Sequence, residues 1–162
     1  MNTIKEIGKI DAQLLADYIL QEYSPISHLK LQKLLFYCEA YHLAYFEDEL
    51  LNQQFEAWVH GPVCRDVFNN LKDKSLIYAD ISFDNSYNPK QRLESLLTTN
   101  QMEVVNDVLE ELSEWTALEL ENATHSETPW INARKGHAAS ERCVAQISKD
   151  EMRSFYQQEL NG

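Results

Sequence analysis

Along most of this chain apolar residues recur every three or four positions, the interval at which one face of an α-helix repeats, with polar residues between them. Leu14, Leu15, Tyr18 and Ile19 form such a face behind Asp11, whose side chain can accept from the first free amides of a helix. The break is expected at Ser24-Pro25. From His28 to Phe46 the spacing predicts a long helix in which Leu31, Leu34, Leu35, Cys38, Tyr41, His42 and Tyr45 form a stripe too wide for contact on one side only. Such a helix belongs at the centre of a fold. FEAWV, 55–59, is aromatic and β-branched and runs into His60-Gly61-Pro62, so it reads as a short strand with Pro62 opening a helix to about Lys72. LIYADISF, 76–83, is its expected antiparallel partner. Beyond the polar stretch DNSYNPK come a short helix near 90–97 and a longer one signalled by Asn100 with Glu103, carrying Met102, Val105, Leu109 and Leu112. Helical pieces follow near 116–123 and 129–135, and Ser148 with Glu151 has the spacing of a capping box before a last helix to about Glu159. With no repeat or linker, the expectation is a single, mainly α domain over 1–162, with a core of about 11–156 built around the long helix and a small antiparallel β element.

A chain of 162 residues with 44% hydrophobic positions can bury roughly 70% of its unfolded surface without help from a disulfide or a metal. Cys38, Cys64 and Cys143 are widely spaced and form no C-x-x-C pair, so buried free thiols are expected. The first residues, MNTIKEIGKI, have no apolar signal core, and no apolar run approaches the roughly 20 residues of a membrane helix. A cytoplasmic protein is the expectation. Charge sharpens the picture: of the net −12, residues 41–120 hold fifteen acids against five bases. Nucleic-acid binding depends on neutralising phosphates with lysine and arginine, so this balance argues against a DNA or RNA reader and for a partner with a basic patch. Glu110, Glu111 and Glu114 can share a helix face and are candidate contacts.

THSETPW, 124–130, sets His125, Ser126 and Glu127 side by side, the residue types of an acyl-transfer triad. A triad needs a nucleophile, a base and an orienting acid that meet in space, and a serine elbow needs flanking glycines that Ser126 does not have. Capping explains the stretch better: Thr124 with Glu127 has capping-box spacing, and Thr128 before Pro129 reads as a cap followed by proline in the first turn. Glu39 and His42 form one E-x-x-H on a helix, where a carboxylate-bridged di-iron site would need two. The five histidines show no H-x-x-x-H or H-x-H spacing, and neither glycine-rich phosphate loop occurs. No cofactor is expected. In EAWVHGPV, Trp58 needs a partner for its indole N–H, and Gly61-Pro62 forces a sharp corner.

Three stretches nevertheless stand together in one order: LKLQKLLFYCEAYHLA (29–44), EAWVHGPV (56–63) and THSETPW (124–130). In this combination, from about Asp11 to Tyr156, the chain resembles the Panacea antitoxin domain, the SocA-like family. The matching motif residues are Leu31, Gln32, Lys33, Leu34, Trp58, Gly61, Pro62, Val63, His125, Ser126, Glu127, Pro129 and Trp130. The resemblance implies a mainly helical domain with a small β element, encoded on bacterial, prophage or plasmid DNA, that neutralises a toxin encoded beside it by direct contact. It implies motif residues that build the fold or contact the partner, and no catalysis. Some family members instead deliver a toxin to an ATP-dependent protease, which gives an alternative; a small hydrolase using Ser126 and His125 is the weaker one. With about ten residues ahead of the first helix, a separate DNA-binding module of the kind some members carry is not expected.

Overall fold

Asp11 starts the first helix: its carboxylate accepts from the Gln13 amide at 2.8 Å, and α1 runs over Ala12–Tyr23 with Leu15, Tyr18 and Ile19 on the buried side. The computed structural model in which this is seen describes residues 6–71, 79–83 and 86–161. After the break at Ser24-Pro25 the two-residue strand β1 (Ile26–Ser27) leads into α2 (His28–Phe46), begun by the Ser27 hydroxyl, which accepts from the Lys30 amide. The helix ends at Glu47, which adopts a left-handed conformation (φ 56°). Fifteen of its nineteen residues are buried, so α2 is wrapped rather than packed on one side, as its wide apolar stripe requires. The wrapping comes from α1, α5 (Thr99–Leu112), α6 (Ala117–His125) and α8 (Lys149–Asn161). Three shorter helices complete the described set: α3 (Arg65–Leu71), α4 (Pro89–Leu96) and α7 (Thr128–Ala133). Phe36 lies at the centre, edge-on to Tyr37, Phe55 and Tyr156.

The β element is real but paired differently from expectation. Residues 55–59 do contain a strand, β2 (Glu56–Trp58), yet its neighbour is β3 (Gly61–Val63), in the antiparallel register Glu56↔Val63, Ala57↔Pro62, Trp58↔Gly61. Gly61, at φ 113°, supplies the conformation that lets the chain reverse over Val59 and His60. Pro62 therefore stands in a strand and does not open a helix. β3 is an edge strand, which tolerates the missing N–H, and α3 begins only at Arg65. The other edge of β2 is covered by 145–147: Ala57 donates to the Ala145 carbonyl at 2.9 Å and Ile147 to the Phe55 carbonyl at 2.8 Å. Of the 76–83 stretch, residues 76–78 lie outside the described residues; Asp80–Ile81 form β4, which pairs with β1 and not with β2.

Helix starts follow cap chemistry, in places at a shifted residue. The Ser148 hydroxyl accepts from the Glu151 amide, as expected. α5 begins earlier than Asn100 and Glu103 suggested, with a capping box of Thr98 and Gln101. Gln101 is buried, and besides capping Thr98 its amide binds Gly8 on both sides, so tertiary bonds favour a start at Thr98 over the one expected at Asn100.

The hairpin gives a sharp stability test. A Cβ added to Gly61 would sit 2.4 Å from Cε and 2.9 Å from Nζ of Lys33, so the end of that buried side chain would have to shift. Gly61→Ala should destabilise the protein by about 1–3 kcal/mol from the backbone conformation alone, with the clash adding to it, read as a lowered midpoint in urea unfolding.

Candidate partner-binding site

The three sequence signatures converge around the β2–β3 hairpin. Gln32 reaches from α2 to bind Cys64, its side-chain oxygen accepting from the Cys64 amide at 2.8 Å. Its NH2 group meets Nε2 of His28 at 3.0 Å, and burial pushes the His28 pKa down to about 4. Lys33, one position on, runs under the hairpin with its ammonium nitrogen fully buried and without a hydrogen-bond partner. Desolvation lowers its pKa to about 7, partly countered by Glu121. Leu31 and Leu34 are fully buried neighbours on α2, and Val63 is buried in β3. Trp58 is half-buried; its indole donates to Glu56 at 2.8 Å, and the Arg65 guanidinium, paired with the same carboxylate, lies 5.3 Å from its ring.

THSETPW occupies the junction of α6 and α7, and its cap assignments need correction. Thr124 is inside α6, its hydroxyl donating to the Glu121 carbonyl. Glu127, not Thr128, precedes the first turn of α7, and it makes no side-chain cap bond. The reason is a stronger claim on its carboxylate: Oε1 accepts from the hydroxyls of Tyr37 (2.6 Å) and Tyr156 (2.8 Å), tying α7 to α2 and α8. Burial raises the Glu127 pKa above the ordinary carboxylate value, against the pull of the two hydroxyls. Trp130 is buried behind Pro129, stacked on His125 at 4.1 Å, and donates to the Trp58 carbonyl at 2.9 Å. The acyl-transfer constellation is not assembled. Ser126 is exposed and donates to the Ala123 carbonyl, while Nε2 of His125 is buried with no partner, so nothing joins nucleophile to base. Likewise Glu39 and His42 are committed elsewhere. Glu39 accepts from the amides of Leu50 and Leu51 and from Lys149, and His42 bridges the Asp48 carbonyl and Gln101.

On the opposite side of Glu127 a groove of about 280 Å³ opens between α2, α5, α6 and the end of α8. Tyr37, Tyr41, Val108, Leu112 and Ala123 line it together with Tyr45, Trp115 and Leu160, and its carboxylates are Asp107, Glu111, Glu127 and Glu159. Tyr45 is 60% exposed, but Tyr37 is 3% exposed and is floor rather than surface. The three candidate acids are all exposed and divide around this groove. Glu111 lines it; Glu110, about 100° further round the helix, is near enough to Tyr23 to raise its pKa; Glu114 lies past the end of α5, close to Lys30.

A family model described as antitoxin SocA-like, Panacea domain, matches residues 31–131, more than half of the chain. The chain belongs to this family. Neither a curated protein nor a solved structure matches it. The Panacea match begins at Leu31 and ends just after Trp130, so it contains the β2–β3 hairpin, the three signatures from Leu31 on and the α2, α5 and α6 walls of the groove, while Arg134, residues 145–147, Glu159 and Leu160 lie beyond it. Family membership points to a protein partner and a regulatory role; in the described residues no helix is long and apolar enough to cross a membrane.

One residue that holds this Panacea fold together carried almost no readable signal. Arg134 is almost fully buried, donating to the carbonyls of Ala57, Ala138 and Glu141 with its guanidinium 5.0 Å from the Trp130 ring. Only its place four residues after Trp130, one helical turn on, could have hinted at the contact.

Lys33 yields a pH prediction. The unfolded chain keeps this proton up to the ordinary 10.5 and the folded chain only to about 7, so between those values the unfolded state binds more protons and stability rises with pH. Lys33→Met should remove that part of the slope and stabilise the protein near pH 7 by about 1–3 kcal/mol, the cost of an unsatisfied buried donor. Urea unfolding of both proteins at neutral pH and near the upper end of the window reads both effects; an unchanged slope would show that the folded amine keeps its proton across the window, as a paired ammonium would.

Proposed function

We propose that this protein is an antitoxin that neutralises a cognate toxin by direct protein–protein contact, acting as one domain in the cytoplasm. Membership of the SocA-like Panacea family carries the reading. Charge supports a basic contact patch on the toxin: the net −12 repels other acidic surfaces and steers a basic partner toward the region around the groove where Glu110, Glu111 and Glu114 lie exposed. The Ser126 hydroxyl is spent on the Ala123 carbonyl and Nε2 of His125 has no partner, which weighs against hydrolysis.

The test is growth rescue. The product of the adjacent reading frame, expressed alone, should arrest growth, and co-expression of this chain should restore it, with the two proteins co-purifying. Ser126→Ala should rescue as well as the natural sequence and change stability by no more than about 0.5 kcal/mol, as exposed substitutions do. Loss of rescue in a stably folded Ser126→Ala protein would favour the hydrolase. Rescue that vanishes in a host lacking its ATP-dependent proteases, with the toxin then accumulating, would favour delivery for proteolysis over direct block.

A further inference from the structure

The groove beside Glu127 has the features of a receptor for one kind of side chain. Its volume, about 280 Å³, falls short of the roughly 300–1,000 Å³ of small-molecule sites, and so suits one or two side chains of a protein partner. Among the described residues the walls contribute four carboxylates and no lysine, arginine or histidine. Among the described residues, no basic group forms an ion pair with Asp107, Glu111 or Glu159. At the floor both tyrosine hydroxyls bind Oε1 of Glu127, which leaves Oε2 to accept from a guest. Aromatic faces stand at the rim, where Tyr45 is 60% and Trp115 37% exposed, and such faces attract cations, guanidinium above all.

We infer that this groove receives an arginine-bearing, otherwise apolar segment of the toxin, the guanidinium meeting Glu127 and Glu111 while its apolar neighbours cover Tyr41 and Leu112. The inference rests on the antitoxin reading above and names the site of that contact. A planar guanidinium can serve two carboxylates and an aromatic face at once, which an ammonium group does less well. A second copy of this chain is a poor occupant, because it would bring another net −12 to an already acidic cleft.

The test uses the full chain and the peptides acetyl-Leu-Arg-Leu-amide and acetyl-Leu-Glu-Leu-amide, followed by nitrogen-15 NMR. The arginine peptide should shift the Trp115 indole and the Tyr41 and Glu111 amides, and the glutamate peptide should not. Glu127→Gln, which keeps an acceptor for both tyrosines, and Glu111→Gln, which lies outside that network, should each weaken the arginine peptide about tenfold, the equivalent of about 1.4 kcal/mol and within reach of one charge-assisted bond. Shifts elsewhere, equal binding of the two peptides, unchanged affinity in both variants, or concentration-dependent shifts without peptide would overturn the inference. In the growth assay the pair Glu111→Lys and Glu159→Lys should abolish rescue. Rescue that persists in this variant defeats the groove and leaves the antitoxin reading intact. Failure of the natural sequence to rescue defeats the antitoxin reading, and the peptide titration still decides what the groove binds.

Discussion

The fold depends on a helix that is buried on all sides and yet is not apolar throughout. α2 carries His28, Gln32, Lys33, Glu39 and His42, all fully buried, and a buried polar group left without a partner costs about 1–3 kcal/mol. Most of these costs are met by using the helix as an internal scaffold for chain that has no regular hydrogen bonding of its own. Glu39 takes the amides of Leu50 and Leu51, Gln32 takes the amide of Cys64, and His42 takes the Asp48 carbonyl. Lys149, reaching in from the start of α8, neutralises Glu39 at 2.9 Å and binds the Leu51 carbonyl. The segments that enclose α2 are thus fastened to it by polar bonds as well as by packing. Two groups on α2 are left out: the Lys33 amine, held under the hairpin without a hydrogen bond, and Nδ1 of His28.

From that scaffold the two faces of the THSETPW junction acquire different tasks. Trp130 and His125 turn toward the hairpin and close it, with the indole bonded to the Trp58 carbonyl. Glu127 turns the other way, into the cluster of Tyr37, Tyr41 and Tyr156. One short segment therefore seals the hairpin cluster on one side and sets the floor of the acidic groove on the other.

The helices were legible in the sequence because their signals are local: apolar periodicity marked α2, and Asp11 and Ser148 marked the starts of α1 and α8 through bonds within three residues. Strand pairing was not. FEAWV looked for a partner of similar composition, but the turn chemistry of Gly61 supplied a nearer one, and 145–147 joined from across the chain. Glu127 looked like a cap because cap residues and buried acceptors are the same residue types, and only the third dimension brings Tyr37 and Tyr156 to it. The same holds for the groove. Tyr41 and Tyr45 stood in the apolar stripe of the long helix and Glu111 among the candidate contact acids, but their meeting depends on the packing of α2 against α5 and α8.

Hydrogen exchange in the native state tests the scaffold most directly. Unlike the loops usual on protein surfaces, the segments held by Glu39 and Gln32 should open only when the whole structure does. The amides of Leu50, Leu51 and Cys64 should then exchange at the slow rate of the α2 core, around Leu34 and Leu35, and show the same dependence on low denaturant. Exchange of these three amides far faster than α2, and insensitive to denaturant, would mean that they open locally and that the polar side chains of α2 do not hold the fold together.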